Sequence, residues 1–234
     1  VRAFLIGGGK SINETPIEKL HDEVTFGMNQ IGLLYSETDW RPTYYLFFEN
    51  VGSGRPDHGV DFNSYVPYVA REMESGRRCF ISEHLQPGLM EYTRYRLFQN
   101  VLYVPYRCPH MKLDVTYPGR PYAWHLPNLC HYGGTMNIAI QLAFLMGYDP
   151  IYLLGCDLGY IPITSETTED PNHFHPDYWT WTDHGIRSMD KTLESMHINA
   201  KKEVEYHGRS IYNATVGGEL EVYERVDIHE VLKE

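Results

Sequence analysis

The chain has 234 residues, 42% of them hydrophobic, with a formal net charge of −11. That length and apolar content suit a globular chain with one sizeable core and exclude a disordered one. The acidic balance argues against nucleic acid and anionic membranes as partners, and no apolar run approaches the roughly 18 residues that a membrane helix needs.

The cysteines Cys79, Cys108, Cys130 and Cys156 form no CxxC pair. Their spacing matches neither a zinc site nor a small disulfide scaffold, so reduced thiols in a cytoplasmic protein are expected. Val1 to Ile6 is too short for a signal peptide. The absence of an initiator Met suggests a trimmed chain. The 19 tyrosines suit a core whose rim carries wet, adaptable pockets.

In chain order, Ala3-Phe4-Leu5-Ile6 reads as a buried strand broken by Gly7-Gly8-Gly9. Thr15 to Leu20 then predicts a short helix, with Thr15 as N-cap and Pro16 at its first position. Strands are expected at Val24–Gly27 and Tyr44–Phe48, a helix from Asn63 to Ser75, and strands at Cys79–Ile81 and Val101–Val104. An irregular stretch runs from Pro105 to Tyr132. Gly133-Gly134-Thr135 opens an apolar helix that Gly147 ends, followed by a buried strand at Ile151–Leu154. Residues 159–185 are polar, aromatic and aperiodic, which suits a lid. Ile186, Met189, Leu193, Met196, Ala200 and Val204 mark a long amphipathic helix. A strand at Ser210–Asn213 and a closing helix at Val226–Leu232, N-capped by Asp227, complete the chain. The alternation predicts an α/β fold. It is Rossmann-like, with a largely parallel sheet, helices on both faces and a lid loop, in a single nucleotide-binding domain spanning 1–234.

Gly7-Gly8-Gly9-Lys10-Ser11 directly follows a strand. Glycines admit a phosphate close to the backbone, and exposed N–H groups can cradle it. The run is not a P-loop, because Phe4 stands where GxxxxGK[ST] needs glycine; nor is it GxGxxG, because Ile12 stands at the third glycine. A plain strand-to-helix turn is the competing reading. Asp157, just past the strand at Ile151–Leu154, could accept hydrogen bonds from a ribose, or simply cap a turn. Gly134 and Thr135 stand at a helix N-terminus that could hold an anion, with helix capping by Thr135 the compatible alternative. Asn29, Gln30 and Asn50 follow strands and could bond a base or sugar without charge, or form turns. His173-Phe174-His175 could bind metal, but no partner ligand stands at a convincing spacing. His184 could act as a general base, since its unperturbed pKa lies near neutrality.

Together these residues resemble a superfamily that contains the bacterial sialyltransferases of glycosyltransferase family 42, the flagellin-glycosylation motility accessory factors, and the archaeal 6-hydroxymethylpterin diphosphokinases of domain-of-unknown-function family 115. The strongest similarity is Gly133-Gly134-Thr135 through Gly147-Tyr148-Asp149-Pro150-Ile151-Tyr152-Leu153-Leu154-Gly155-Cys156-Asp157. Ile6 to Ser11 resembles the family's opening turn, Met28-Asn29-Gln30 its "CNQ", and Asn213-Ala214-Thr215 with Leu220-Glu221-Val222-Tyr223 the ending of the flagellin group. Residues 52–130 align with nothing in it.

The resemblance implies a CMP-sugar held by Gly8, Gly9, Asn29, Asn50, Gly134 and Asp157. It places Tyr160 at the departing phosphate and His184 as the base. Gly133 stands where the family has serine, and no second tyrosine follows shortly after Tyr160. The implied function is a metal-independent glycosyltransferase of sialyltransferase type, with no cofactor, a nucleotide-sugar donor and a glycan or glycoprotein acceptor. Neither nucleic acid nor an integral membrane segment is implied, and a homo-oligomer is compatible. The alternatives are an ATP-dependent diphosphokinase, in which Mg²⁺ would be held by Asp157 with Glu169 or Asp170, and a non-catalytic nucleotide-sugar-binding module.

Overall fold

The structure, a computed structural model, describes residues 1–48, 62–105, 129–131, 134–161, 166–178 and 190–233. Among these, eight strands form one sheet: β1 (Ala3–Ile6), β2 (Val24–Met28), β3 (Tyr44–Phe47), β4 (Arg78–Ser82), β5 (Val101–Val104), β6 (Ile151–Leu154), β7 (Ile211–Asn213) and β8 (Glu224–Arg225). The order is β5-β4-β3-β2-β1-β6-β7-β8, and every neighbouring pair is parallel. The chain builds outward from β1 to β5, returns to the other side of β1 as β6, and continues to β8. The expected Rossmann-like sheet is therefore present, and its topological switch point lies between β1 and β6.

Strand alternation divides the core in two. Phe4, Ile6, Tyr45, Phe47, Tyr152 and Leu154 face one side, and Ala3, Leu5, Tyr44, Leu46, Ile151 and Leu153 face the other. All four residues of β1 are completely buried, as a central parallel strand covered on both faces must be. Phe4 stacks on its register partner Tyr152 with ring centroids 5.1 Å apart. The first face is covered by α1 (Phe62–Glu74) through Tyr65, Val66, Val69 and Met73, by α2 (Gln86–Tyr92) through Leu89, and by α5 (Ile228–Val231). The second is covered by α3 (Thr135–Leu145) and by α4 (Asp190–Tyr206) through Met196, Ala200 and Val204.

Helix α3 begins and ends for local reasons. Its N-cap is Gly134, with no side-chain capping bond; Thr135 is the first helical residue, so the alternative reading of Thr135 as the cap does not hold. At its other end Gly147 adopts φ 86°, its N–H bonds Phe144 O at 3.0 Å, and Tyr148 N–H bonds Ala143 O at 3.1 Å. Those paired bonds satisfy carbonyls the helix would leave open, and the left-handed residue that makes them favours glycine.

Three other expectations change. The Thr15–Leu20 helix is a 3-10 turn over Ile17–Leu20, and Pro16 is its N-cap. Thr15 does not cap it, because its hydroxyl bonds back to Ser11 O at 2.9 Å. Helix α2 forms where no element was expected; Pro87 sits in its first turn, where proline loses no hydrogen bond. A 3-10 segment over Ile31–Ser36 follows β2 where no element was expected. The closing helix, by contrast, has its expected cap: Asp227 accepts from His229 N–H. No helix among the described residues is long and apolar enough to cross a membrane.

Candidate functional site

In an open α/β sheet, ligands bind beyond the carboxyl ends of the strands at the switch point, because loops from β1 and β6 depart in opposite directions there and leave a crevice. The loop after β1 is laced to the turn after β6. Gly7 N–H bonds Leu154 O at 2.8 Å, and Gly9 N–H bonds Gly155 O at 3.0 Å. Asp157 then reaches back across the crevice. Its Oδ2 accepts from Ser11 N–H at 2.9 Å, and its Oδ1 accepts a short bond from the Ser11 hydroxyl. A Cβ on Gly9 would fall 2.5 Å from the Asp157 carboxyl carbon, so glycine is required by this close approach. Asp157 thus shapes the loop that could hold a phosphate. Each carboxylate oxygen keeps a lone pair beyond its Ser11 bond.

The third wall comes from the polar segment 166–178. His173 forms an antiparallel bridge with Gly9, and Phe174 N–H bonds Gly8 O at 3.1 Å. Asn172 pairs twice with the Ile161 backbone, at 2.7 and 2.8 Å, which closes the loop between them. Phe174 and Tyr178 enter the core, and a Cβ on Gly8 would strike the Tyr178 hydroxyl at 2.3 Å. The described part of the expected lid is therefore packed against the first loop; 162–165 and 179–189 lie outside the described residues.

This segment carries a pair that sequence reasoning did not connect. His173 Nδ1 lies 2.7 Å from Asp170 Oδ2, and His173 N–H bonds Asp170 Oδ1 at 3.1 Å. Burial pushes the Asp170 carboxyl up, but the His173 bond and charge, with N–H bonds from Asn172 and His173, outweigh it and hold the pKa below its usual value. The His173 ring stacks on Tyr178 at 4.3 Å and meets Tyr160 edge-on at 6.3 Å. The three-residue spacing of Asp170 and His173 was the only signal in sequence, and the HxH pattern drew attention to metal instead. Among the described residues no three His, Cys, Asp or Glu side chains cluster to hold a metal ion.

The remaining candidates lie along the same edge. Asn29 follows β2 in a left-handed conformation, φ 53°; its N–H bonds Leu46 O at 3.0 Å, and its carbonyl accepts from the Tyr45 hydroxyl at 2.7 Å. Asparagine tolerates that backbone better than most residues, and such conformations gather at ligand sites. Gly134 and Thr135 begin α3, which connects β5 to β6 and so starts at the carboxyl edge. Nearby His131 bonds the Phe48 backbone, but burial outweighs that bond and pushes its pKa down to about 4, leaving a neutral imidazole at pH 7. Burial and then the Asp157 charge push the Cys156 thiol up, which disfavours its thiolate. Gly8, Gly9, Asn29, Gly134, Thr135, Asp157 and Tyr160 thus fall at the carboxyl end of the sheet or in the loops beyond it. Asn50, Gly133 and His184 lie outside the described residues.

The fold resembles that of a glycosyltransferase. The MAf glycosyltransferase from Magnetospirillum magneticum AMB-1 superposes with a TM-score of 0.58 over 97% of this chain, at 17% identity. This chain spans 34% of that protein's length. No protein-family model and no curated protein sequence matches the chain.

Proposed function

We propose that the chain is a glycosyltransferase domain that binds a nucleotide-sugar donor, CMP-linked, at the switch point between β1 and β6. The observation that carries this reading is the crevice itself: a glycine loop laced to the Gly155–Asp157 turn and walled by Tyr160 and His173, in a sheet that resembles a glycosyltransferase fold. The bonds made by the Gly7, Gly9 and Ser11 N–H groups fix the loop before the reaction, so the Gly8 N–H, which they leave over, could stabilise charge on a departing phosphate without reorganising. Tyr160 would donate to the same phosphate. The segment 166–178 would exclude water, which competes with the acceptor hydroxyl. The chemistry needs no obligatory metal, because the leaving nucleotide's charge would be met by these donors.

The acceptor must lose a proton, and a histidine would take it. His184 is the base that the resemblance implies. The Asp170 contact favours His173 as a second reading, since a carboxylate on one ring nitrogen fixes the tautomer and orients the ring.

A thermal-shift series with CMP, CDP, UDP, GDP and ATP, each with and without Mg²⁺, tests the donor. A ligand that binds only the folded state raises its melting temperature. Stabilisation by CMP without metal supports the proposal, and stabilisation by ATP with Mg²⁺ alone replaces it with diphosphoryl transfer. CMP-sugar turnover by His184→Ala and His173→Ala then assigns the base: the variant that binds CMP but loses transfer carried it. CMP binding with no turnover of any donor by the unaltered chain would leave a binding module.

A further inference from the structure

A second cavity, of about 550 Å³, opens between the 3-10 segment Ile31–Ser36, the C-terminal half of α1 and the start of β4. Of its lining residues only His175 belongs to segment 166–178, which also walls the switch-point crevice. Its hub is the Tyr35 ring. The Arg41 guanidinium lies 3.9 Å from the ring centroid, Arg71 5.2 Å and Arg77 5.8 Å. In a chain of net charge −11, three guanidiniums around one ring are a local reversal of sign. Glu72 is the one carboxylate that lines the cavity, so two positive charges stand in excess.

Each guanidinium is anchored by only part of its donor set. Arg41 Nη1 bonds Thr38 O at 2.7 Å and Trp40 O at 2.6 Å, and Arg71 Nη2 bonds Gly32 O at 2.8 Å. Arg77 Nη1 pairs with Glu72 Oε2 and reaches Ser75 Oγ at 3.1 Å. An arginine has five N–H donors, so each retains some for a ligand. Glu72 is 2% exposed and is held by Arg77 and by the Tyr35 hydroxyl.

We propose that this cavity binds a small polyol phosphate, of which a sugar phosphate is the natural class. A phosphate monoester carries about two negative charges near neutral pH, which balances the two excess positive charges. Its three terminal oxygens can each take a guanidinium, and charge-assisted bonds of this kind are the strong ones. Ser36, Ser75 and His175 offer polar partners for hydroxyls on the ligand body. The volume falls within the roughly 300–1,000 Å³ of small-molecule sites. A carboxylate ligand would cancel only one charge. The guanidinium cluster shares no residue with the glycine loop or the Gly155–Asp157 turn, so this proposal can fail while the donor reading stands, and the reverse.

Isothermal titration of the full chain with glycerol 3-phosphate, glycerol and acetate tests this. Saturable binding of glycerol 3-phosphate is expected, with none of glycerol and weaker binding of acetate. Arg41→Gln and Arg71→Gln should each weaken it roughly tenfold or more, with the circular dichroism spectrum and melting temperature unchanged. Arg41 bonds only carbonyls of its own segment, so its variant carries the test if Arg71→Gln unfolds. Absence of saturable binding at millimolar concentration, acetate binding as tightly, or equal affinity in a folded Arg41→Gln protein would each overturn the proposal.

Discussion

Acid should unfold this protein partly through one histidine. His197 on α4 is 5% exposed, and its Nδ1 lies 2.9 Å from the Tyr223 hydroxyl, which itself bonds His197 O at 3.1 Å. Burial pushes the imidazole pKa down to about 3. In the unfolded chain it would titrate near its ordinary value of about 6.5. Between those values the unfolded state binds the extra proton, so stability is full above the unfolded pKa and falls as pH drops toward the folded one. One proton contributes about 1.36 kcal/mol per pH unit, so at pH 5 the native state should be about 2 kcal/mol less stable than at pH 8 through this residue alone. His197→Asn keeps an amide where Nδ1 stood and removes the titration. Urea unfolding at pH 8 and pH 5 should show the variant losing about 2 kcal/mol less than the parent across that interval. Identical losses in the two proteins, or an imidazole resonance of His197 titrating near pH 6.5 in the folded state, would refute the reasoning.

Three further outcomes follow from the core and the crevice. Gly9→Ala sets a Cβ 2.5 Å from the Asp157 carboxyl, so it should lower the melting temperature, by about 1–3 kcal/mol in stability, and weaken nucleotide binding in the same thermal-shift series. Asp157→Asn removes one of the two acceptors that hold Ser11, at a cost of about 1–3 kcal/mol by urea unfolding; an unchanged midpoint would mean that the loop needs no such brace. Leu153→Ala empties a fully buried position in the central strand β6 and should cost about 2–5 kcal/mol by denaturant titration while leaving any folded-state nucleotide affinity intact.

Much of the architecture was legible because the physics behind it is local. β1, β5 and β6 lie where their short apolar runs are bounded by glycine, proline or polar turns, and α3 ends at the glycine that its terminal hydrogen bonds favour. Elements that depend on neighbours were not legible: α2 carries proline and glycine in its first turn, β8 is two residues long, and Ile31–Ser36 folds as a 3-10 segment against the core. The site divides in the same way. Glycines after a strand and a carboxylate after another are visible in one dimension, so Gly8, Gly9 and Asp157 could be named as candidates. That Asp157 braces Ser11 across 146 residues, that Asp170 pairs with His173, and that Arg41, Arg71 and Arg77 converge on Tyr35 were decided only by tertiary structure. The physical reason is the parallel sheet: each strand must return through a long crossover, so the groups that meet at its edges and on its faces are necessarily far apart in the chain.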